Sequence, residues 1–282
     1  VRYALTIAYD GTDFVGWQKQ EPPDPSGALG ADGAPARVKL RTVQEALEQA
    51  VRRALREPVV VTGASRTDSG VHALGQVAAF TSEPDASAGV GWPADRGTDA
   101  LVRAVNAHLP RDVLVRGAEV AAIDFSPISG ALEKEYAYTI ASGPVRPVFG
   151  RRFVFHTWHA LDADRMNEGA AHLVGEHDFA SFAQINHGRS TTVRTITACS
   201  VERFRDPSGD GVDGCGWFRI RVSGSGFLYN MVRIIAGLLM EVGRGRISPG
   251  AVPGILGAAD RRANPAPTLP PQGLRLEWIR YA

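Results

Sequence analysis

The chain has 282 residues, 44% of them hydrophobic and 22% charged, the composition of a soluble globular protein with one large domain or two modest ones. Its formal charge of +1 excludes a uniformly basic surface, so any face that binds a polyanion is local. Two isolated cysteines, Cys199 and Cys215, exclude a disulfide framework and fit a reducing cytosol; neither has a Cys or His at metal-site spacing.

Of the 31 basic residues only Lys19, Lys39 and Lys134 are lysine, a bias that suits phosphate binding but also follows from genome composition. Histidines 72, 108, 156, 159, 172, 177 and 187 are scattered, and no pair has the i,i+4 spacing of a helical metal site. No histidine is assigned as a metal ligand. The chain starts as an alternating strand, not as a signal peptide. The most apolar stretch, 227–242, carries Arg233 and Glu241 and is too short and polar to cross a membrane.

In chain order, residues 3–9 alternate as a strand and Asp10-Gly11-Thr12-Asp13 turns the chain. Residues 21–41, rich in Pro, Gly and Ala, read as a mobile, disordered insertion. Thr42 with Glu45 forms a capping box before a one-face helix that Pro58 ends. Residues 59–62 and 77–81 read as strands flanking a long loop, 63–76. A loose segment covers 83–97, a helix 98–108 and a strand 113–120. The order is β-α-β-β-α-β.

The second half repeats that order in topology, not in sequence. Residues 136–141 form a strand, and Asp162 caps a helix over 163–174. Strands at 192–204 and 216–223 flank a Gly/Asp hairpin, 206–214. A helix covers 227–243 with one apolar stripe, and 274–281 is a closing strand. The expected class is α+β: two split β-α-β halves, 1–122 and 123–282, with a cleft between them as the natural ligand site.

The loop Gly63-Ala64-Ser65-Arg66-Thr67-Asp68-Ser69-Gly70-Val71-His72-Ala73-Leu74-Gly75-Gln76 is the stretch the rest is organised around. Its glycines and small polar residues make a poor helix and a poor strand, and it can aim one carboxylate, Asp68, at a ligand. The bland alternative is an ordinary turn with a solvated Arg66–Asp68 pair. Arg233 is either a base snorkelling from an apolar helix or a partly buried partner for a carboxylate. Tyr136 and Tyr138 share one strand face, as core or as a plane on which a base can stack.

These residues resemble the tRNA pseudouridine synthase A family. The likeness rests on Arg66-Thr67-Asp68-Ser69-Gly70-Val71-His72-Ala73 with Gly75-Gln76-Val77, Tyr9-Asp10-Gly11-Thr12, Gly16-Trp17-Gln18-Lys19-Gln20 and Val43-Gln44-Glu45. Asn106 with Leu109-Pro110, Phe125-Ser126, Asn230-Met231-Val232-Arg233-Ile234-Ile235-Ala236-Gly237 and Glu241-Val242-Gly243-Arg244-Gly245 add to it.

The resemblance implies two ferredoxin-like halves sharing a mixed, mostly antiparallel sheet with a central cleft, in a cytoplasmic homodimer that grips tRNA. It implies isomerisation of uridine to pseudouridine at tRNA positions 38 to 40 in the anticodon stem-loop, without cofactor or metal. Asp68 would be the nucleophile and Arg233 its ionic partner. Tyr136 would stack on the base, and Arg66, His72 and Gln76 would shape the loop or meet the substrate. Departures from the family pattern are Asp124 before Phe125-Ser126, Glu133 and Glu135 before Tyr136, Ser65, Ser69 and the 21–41 insertion. They bear on RNA affinity more than on chemistry. A non-catalytic RNA-binding protein of the same fold is the alternative. The Asp68-Ser69-Gly70 triplet also resembles that of aspartic proteases, but those pair two carboxylates and no second triplet is present.

Overall fold

The computed structural model describes residues 1–29, 32–184, 190–205 and 216–282. The chain divides into two compact units, Val1–Gly130 and Ala131–Ala282. Both mix helices with mostly antiparallel strands, the α+β class expected from the sequence.

The first unit contains β1 (Arg2–Tyr9), α1 (Val43–Leu55), β2 (Thr62–Gly63), β3 (His72–Thr81), α2 (Thr98–Asn106) and β4 (Val113–Ala121). Its strands pair antiparallel in the order β4-β1-β3-β2. Apolar residues on one face of each helix, Leu47, Val51 and Leu55 on α1 and Leu101 and Val105 on α2, are fully buried. Thr42 caps α1 by accepting from the Glu45 amide, while the Glu45 carboxylate accepts from Gln49.

The strand read at 59–62 is only Thr62–Gly63, because side chains of α1 take backbone groups of Val59 and Val61. Gln44 donates to the Val61 carbonyl, Arg52 donates to that of Val59, and the buried Glu48 carboxylate accepts from the Val61 amide. The loop read at 63–76 is half strand: β3 starts at His72, with Ala73 opposite Tyr9 and Gln76 opposite Ile7 of β1. A partner ladder overrides a composition that is locally poor for strand.

The 21–41 stretch is not disordered in its described part. It folds back on itself through Val38 N to Pro22 O, Asp24 N to Ala36 O and Ala36 N to Ala28 O, with bridges Pro23–Arg37 and Leu29–Pro35. An exposed ladder needs no apolar period, so the pattern did not reveal it. Segment 83–97 is likewise tied down, by the fully buried Trp92, whose indole donates to Gly97.

The second unit contains β5 (Glu133–Ser142), β6 (Phe155–Thr157), α3 (Ala163–Ala171), β7 (Gly175–Asp178), β8 (Val193–Phe204), β9 (Gly216–Gly224), α4 (Met231–Gly243), α5 (Val252–Gly257) and β10 (Leu274–Arg280). Strands run in the order β10-β5-β9-β8-β7, all antiparallel, and β6 lies parallel to β5. The short β6, β7 and α5 carry no periodic signal and were not foreseen. The hairpin 206–214, His187 and Cys215 lie outside the described residues.

The helix read from 227 starts at Met231, because Asn230 is left-handed (φ 61°) and the Met231 amide turns back onto Leu228 O. It is buried all round rather than on one stripe, and Arg233 is its one residue that is not buried. Gly169 lets α3 approach α4: a Cβ there would touch Leu239 and Val242 at 3.4 Å. No helix among the described residues is long and apolar enough to cross a membrane.

Candidate active site

The loop over 64–71 is held by backbone from two places, the 14–17 segment and Val77 of β3. Trp17 N donates to Thr67 O at 3.0 Å, Gly70 N and the Ser69 hydroxyl donate to Phe14 O, and Ala64 N donates to Val77 O. Val71 N closes a turn onto Asp68 O at 3.1 Å. The Thr67 and Tyr9 hydroxyls meet at 2.7 Å in a buried position. Asp68 therefore sits half-buried on a backbone whose neighbours on both sides are fixed.

Two glycines permit this approach. A Cβ on Gly11 would lie 1.9 Å from Val71 O, and one on Gly16, whose φ is +100°, would lie 2.8 Å from Thr67 O. Gly63 does the same for the Trp17 ring, 2.3 Å from where its Cβ would be. The Tyr9-Asp10-Gly11-Thr12, Gly16-Trp17 and Val43-Gln44 motifs are thus one physical object. Val43 N and Gln44 N donate to the Gly16 and Trp17 carbonyls, so the start of α1 grips the segment that grips the Asp68 loop.

His72 and Gln76 are buried, and their side chains hold this assembly. Gln76 clamps Ser65 at both ends, its amide nitrogen donating to Ser65 O at 2.6 Å and its oxygen accepting from Ser65 N at 3.2 Å. His72 Nδ1 accepts from Gly11 N at 3.0 Å and lies 3.2 Å from the Asp10 carboxylate. An Nδ1 that accepts an amide proton carries none itself. Arg66 is exposed at the loop surface.

In the second unit Arg233 is half-buried and anchored, so it does not simply snorkel. Its Nε donates to Leu269 O and its Nη1 to Asn230 Oδ1, both at 2.6 Å. Asn230 is itself fixed by its bond to Gln184. Gly237 makes this possible: a Cβ there would lie 2.0 Å from Pro267 O, so the chain carrying Leu269 lies directly on α4. The left-handed Asn230 and the close approach at Gly237 thus aim the guanidinium.

The two tyrosines of β5 have different surroundings. Tyr138 is fully buried, donates to Pro270 O at 2.7 Å, and burial raises its pKa against an opposing pull from Arg233. Tyr136 is 7% exposed, with its ring edge-on to Phe227 at 5.2 Å. The two acids beside it are neutralised in place. Glu135 accepts from Arg221 at 3.1 Å and Ser223 at 3.0 Å; Glu133 pairs with Arg280 at 2.5 Å and accepts from Thr197. Their position in the sequence overstates their repulsion of a polyanion.

Thr67 and Asn230 lie inside motifs without a part assigned to them, and Gln184 lies in none, so nothing in the sequence pointed to it. Among the described residues no three His, Cys, Asp or Glu side chains gather as a metal site. Burial pushes the Cys199 thiol up to about 12, so it is protonated at neutral pH.

Residues 170–282 match the family described as tRNA pseudouridine synthase. A tRNA pseudouridine synthase A of Geotalea uraniireducens is 42% identical over 277 residues, covering 98% of each chain. Those of Geobacter sulfurreducens and Acetivibrio thermocellus are 38% identical over 283 residues and 36% over 277, again with 98% of each chain covered.

Proposed function

The chain belongs to the tRNA pseudouridine synthase A family, and on that premise we propose that Asp68 is the nucleophile with which it turns uridine into pseudouridine. The protein is an enzyme that isomerises uridine in tRNA. The observation that carries the assignment to Asp68 is the fixing of its backbone. Trp17, Phe14, Tyr9 and Gln76 all hold the loop, and Asp68 is the one carboxylate on it.

In this reading each unit is a ferredoxin-like half. Unit orders β4-β1-β3-β2 and β10-β5-β9-β8 support it, since both are the order of a split β-α-β sheet. The substrate is the anticodon stem-loop of tRNA, at positions 38 to 40. The working form is a cytoplasmic homodimer on tRNA.

The base cannot rotate while stacked, so it leaves the helix before it reacts. The N1–C1′ bond breaks, uracil turns, and a C5–C1′ bond forms; C5 gives up its proton and N1 takes one up. The Asp68 carboxylate adds to C6 of the ring or to C1′ of the sugar and is released at the end. Arg233 keeps that carboxylate ionised, and Tyr136 stacks on the extruded base. Arg66 meets the RNA, while His72 and Gln76 keep the loop in shape.

The experiment is tritium release from tRNA labelled at C5 of uridine. The wild-type protein releases label and Asp68→Asn releases none, while its tRNA affinity stays near wild type. Full release by Asp68→Asn removes Asp68 from the chemistry. No release by the wild-type protein leaves only a binder.

A further inference from the structure

Between Glu135 and Asp162 the sequence has no acid, yet it carries Arg146, Arg151 and Arg152. In a chain of formal charge +1 this is a local concentration of basic charge. The segment leaves β5 and returns as β6, and its frame is fixed. Gly143 N donates to Thr157 O at 3.0 Å and the Ser142 hydroxyl donates to His159 O at 2.7 Å. Val154, 4% exposed, packs with Ala141 and Trp217. Gly150, at φ 70°, sets the turn into Arg151–Phe153.

On this frame the outer side chains face solvent. Phe149 and Trp158 are each 65% exposed, and Arg146 and Arg151 are exposed with them. Large exposed apolar side chains clustered on one segment mark a surface with a partner. The lack of any acid selects a polyanion, and aromatic planes between guanidinium groups suit an unpaired nucleic-acid strand, whose bases stack while its phosphates pair with arginine.

We propose that the 144–159 segment is an RNA-docking surface for an unpaired stretch of the tRNA substrate. Arg146 and Arg151 take phosphates, and Phe149 and Trp158 take bases. This rests on the reading of the chain as a tRNA-modifying enzyme and names a second contact outside the Asp68 loop.

The test uses the full chain and an unmodified tRNA transcript. Affinity is measured across a salt series, with sedimentation of the free protein and C5-tritium release alongside. Arg146→Ala/Arg151→Ala is expected to flatten the log–log salt dependence by roughly 0.7 to 0.9 per arginine removed. Trp158→Ala is expected to weaken binding about tenfold, and Trp158→Phe to keep most of it. Sedimentation stays as in the wild type. Wild-type tRNA affinity and salt slope in these variants overturn the proposal. So does a changed sedimentation coefficient with unchanged affinity, which makes the face a contact between copies. Release by the wild-type protein alongside such variants shows that only this surface, and not the enzymatic reading, has failed.

Discussion

The hydroxyl of Tyr9 lies 2.7 Å from that of Thr67, both side chains are buried, and the residue after Thr67 is Asp68. The pair joins the end of β1 to the loop that carries the carboxylate. Because Trp17 N also holds Thr67 O, that residue is fixed through its side chain and its backbone. Removing either hydroxyl leaves its partner in the interior with one hydrogen bond fewer. Thr67→Val or Tyr9→Phe should each cost about 1–3 kcal/mol of stability. The double variant should cost less than the sum of the two, because both single variants lose the same hydrogen bond. Urea unfolding measures this. Turnover should fall while tRNA affinity holds, and strictly additive losses would show that the two hydroxyls do not depend on each other.

A second expectation concerns the glycines against this loop. Gly11→Ala places a Cβ on Val71 O and Gly16→Ala places one on Thr67 O with an unfavourable φ. Each should lose roughly 1–3 kcal/mol, and turnover with it. Gly117→Ala, in β4 with open space around the added carbon, is the control and should be neutral or slightly stabilising. Equal thermal midpoints and rates for all three would mean that the loop tolerates displacement.

The tyrosines of β5 should separate cleanly. Tyr138→Phe breaks the bond to Pro270 O, so it should lower stability by about 1 kcal/mol and leave turnover alone. Tyr136→Phe keeps the ring and most activity; Tyr136→Leu loses the plane and with it both turnover and tRNA binding. Steady-state tritium release and thermal melts on the same samples decide it. Normal turnover by Tyr136→Leu would make that residue core packing only.

Alkaline pH should reveal the acids whose ionisation desolvation opposes. The Cys199 thiol rises from an ordinary value of 9.0 to about 12, and burial also raises the Tyr138 and Tyr281 hydroxyls. Between the unfolded and folded values the unfolded chain has released protons that the folded chain keeps. Stability is therefore fully present below about pH 9 and falls as pH rises above it. Cys199→Ala should lessen the fall between pH 9 and 12, and a thiol reagent should react slowly with native Cys199. A urea midpoint that rises across that window contradicts the sign.

Much of the candidate site was legible as candidates because its parts are local. Asp68 lies in a Gly/Ser-rich loop, Arg233 is a charge inside an apolar run, and the Thr42 cap before α1 needs only near neighbours. The β-α-β-β-α-β order of the first unit follows from hydrophobic period and turn residues. The errors came where the deciding partner is remote. Residues 59–61 are apolar and β-branched, yet Gln44, Glu48 and Arg52 of α1 take backbone groups of Val59 and Val61. His72 and Gln76 sit among loop-forming residues, yet both lie in β3, where Gln76 is opposite Ile7 of β1.

The sequence by itself determined the class of fold, the helices with one apolar face, and the carboxylate and guanidinium worth asking about, since charge, period and turn chemistry are properties of near neighbours. Only the tertiary structure decided where β3 begins, that 21–41 folds back on itself, and that Gln76 serves the Ser65 backbone. Each of those depends on a hydrogen-bonding partner distant in the chain, and a partner's position exists only once the chain has folded.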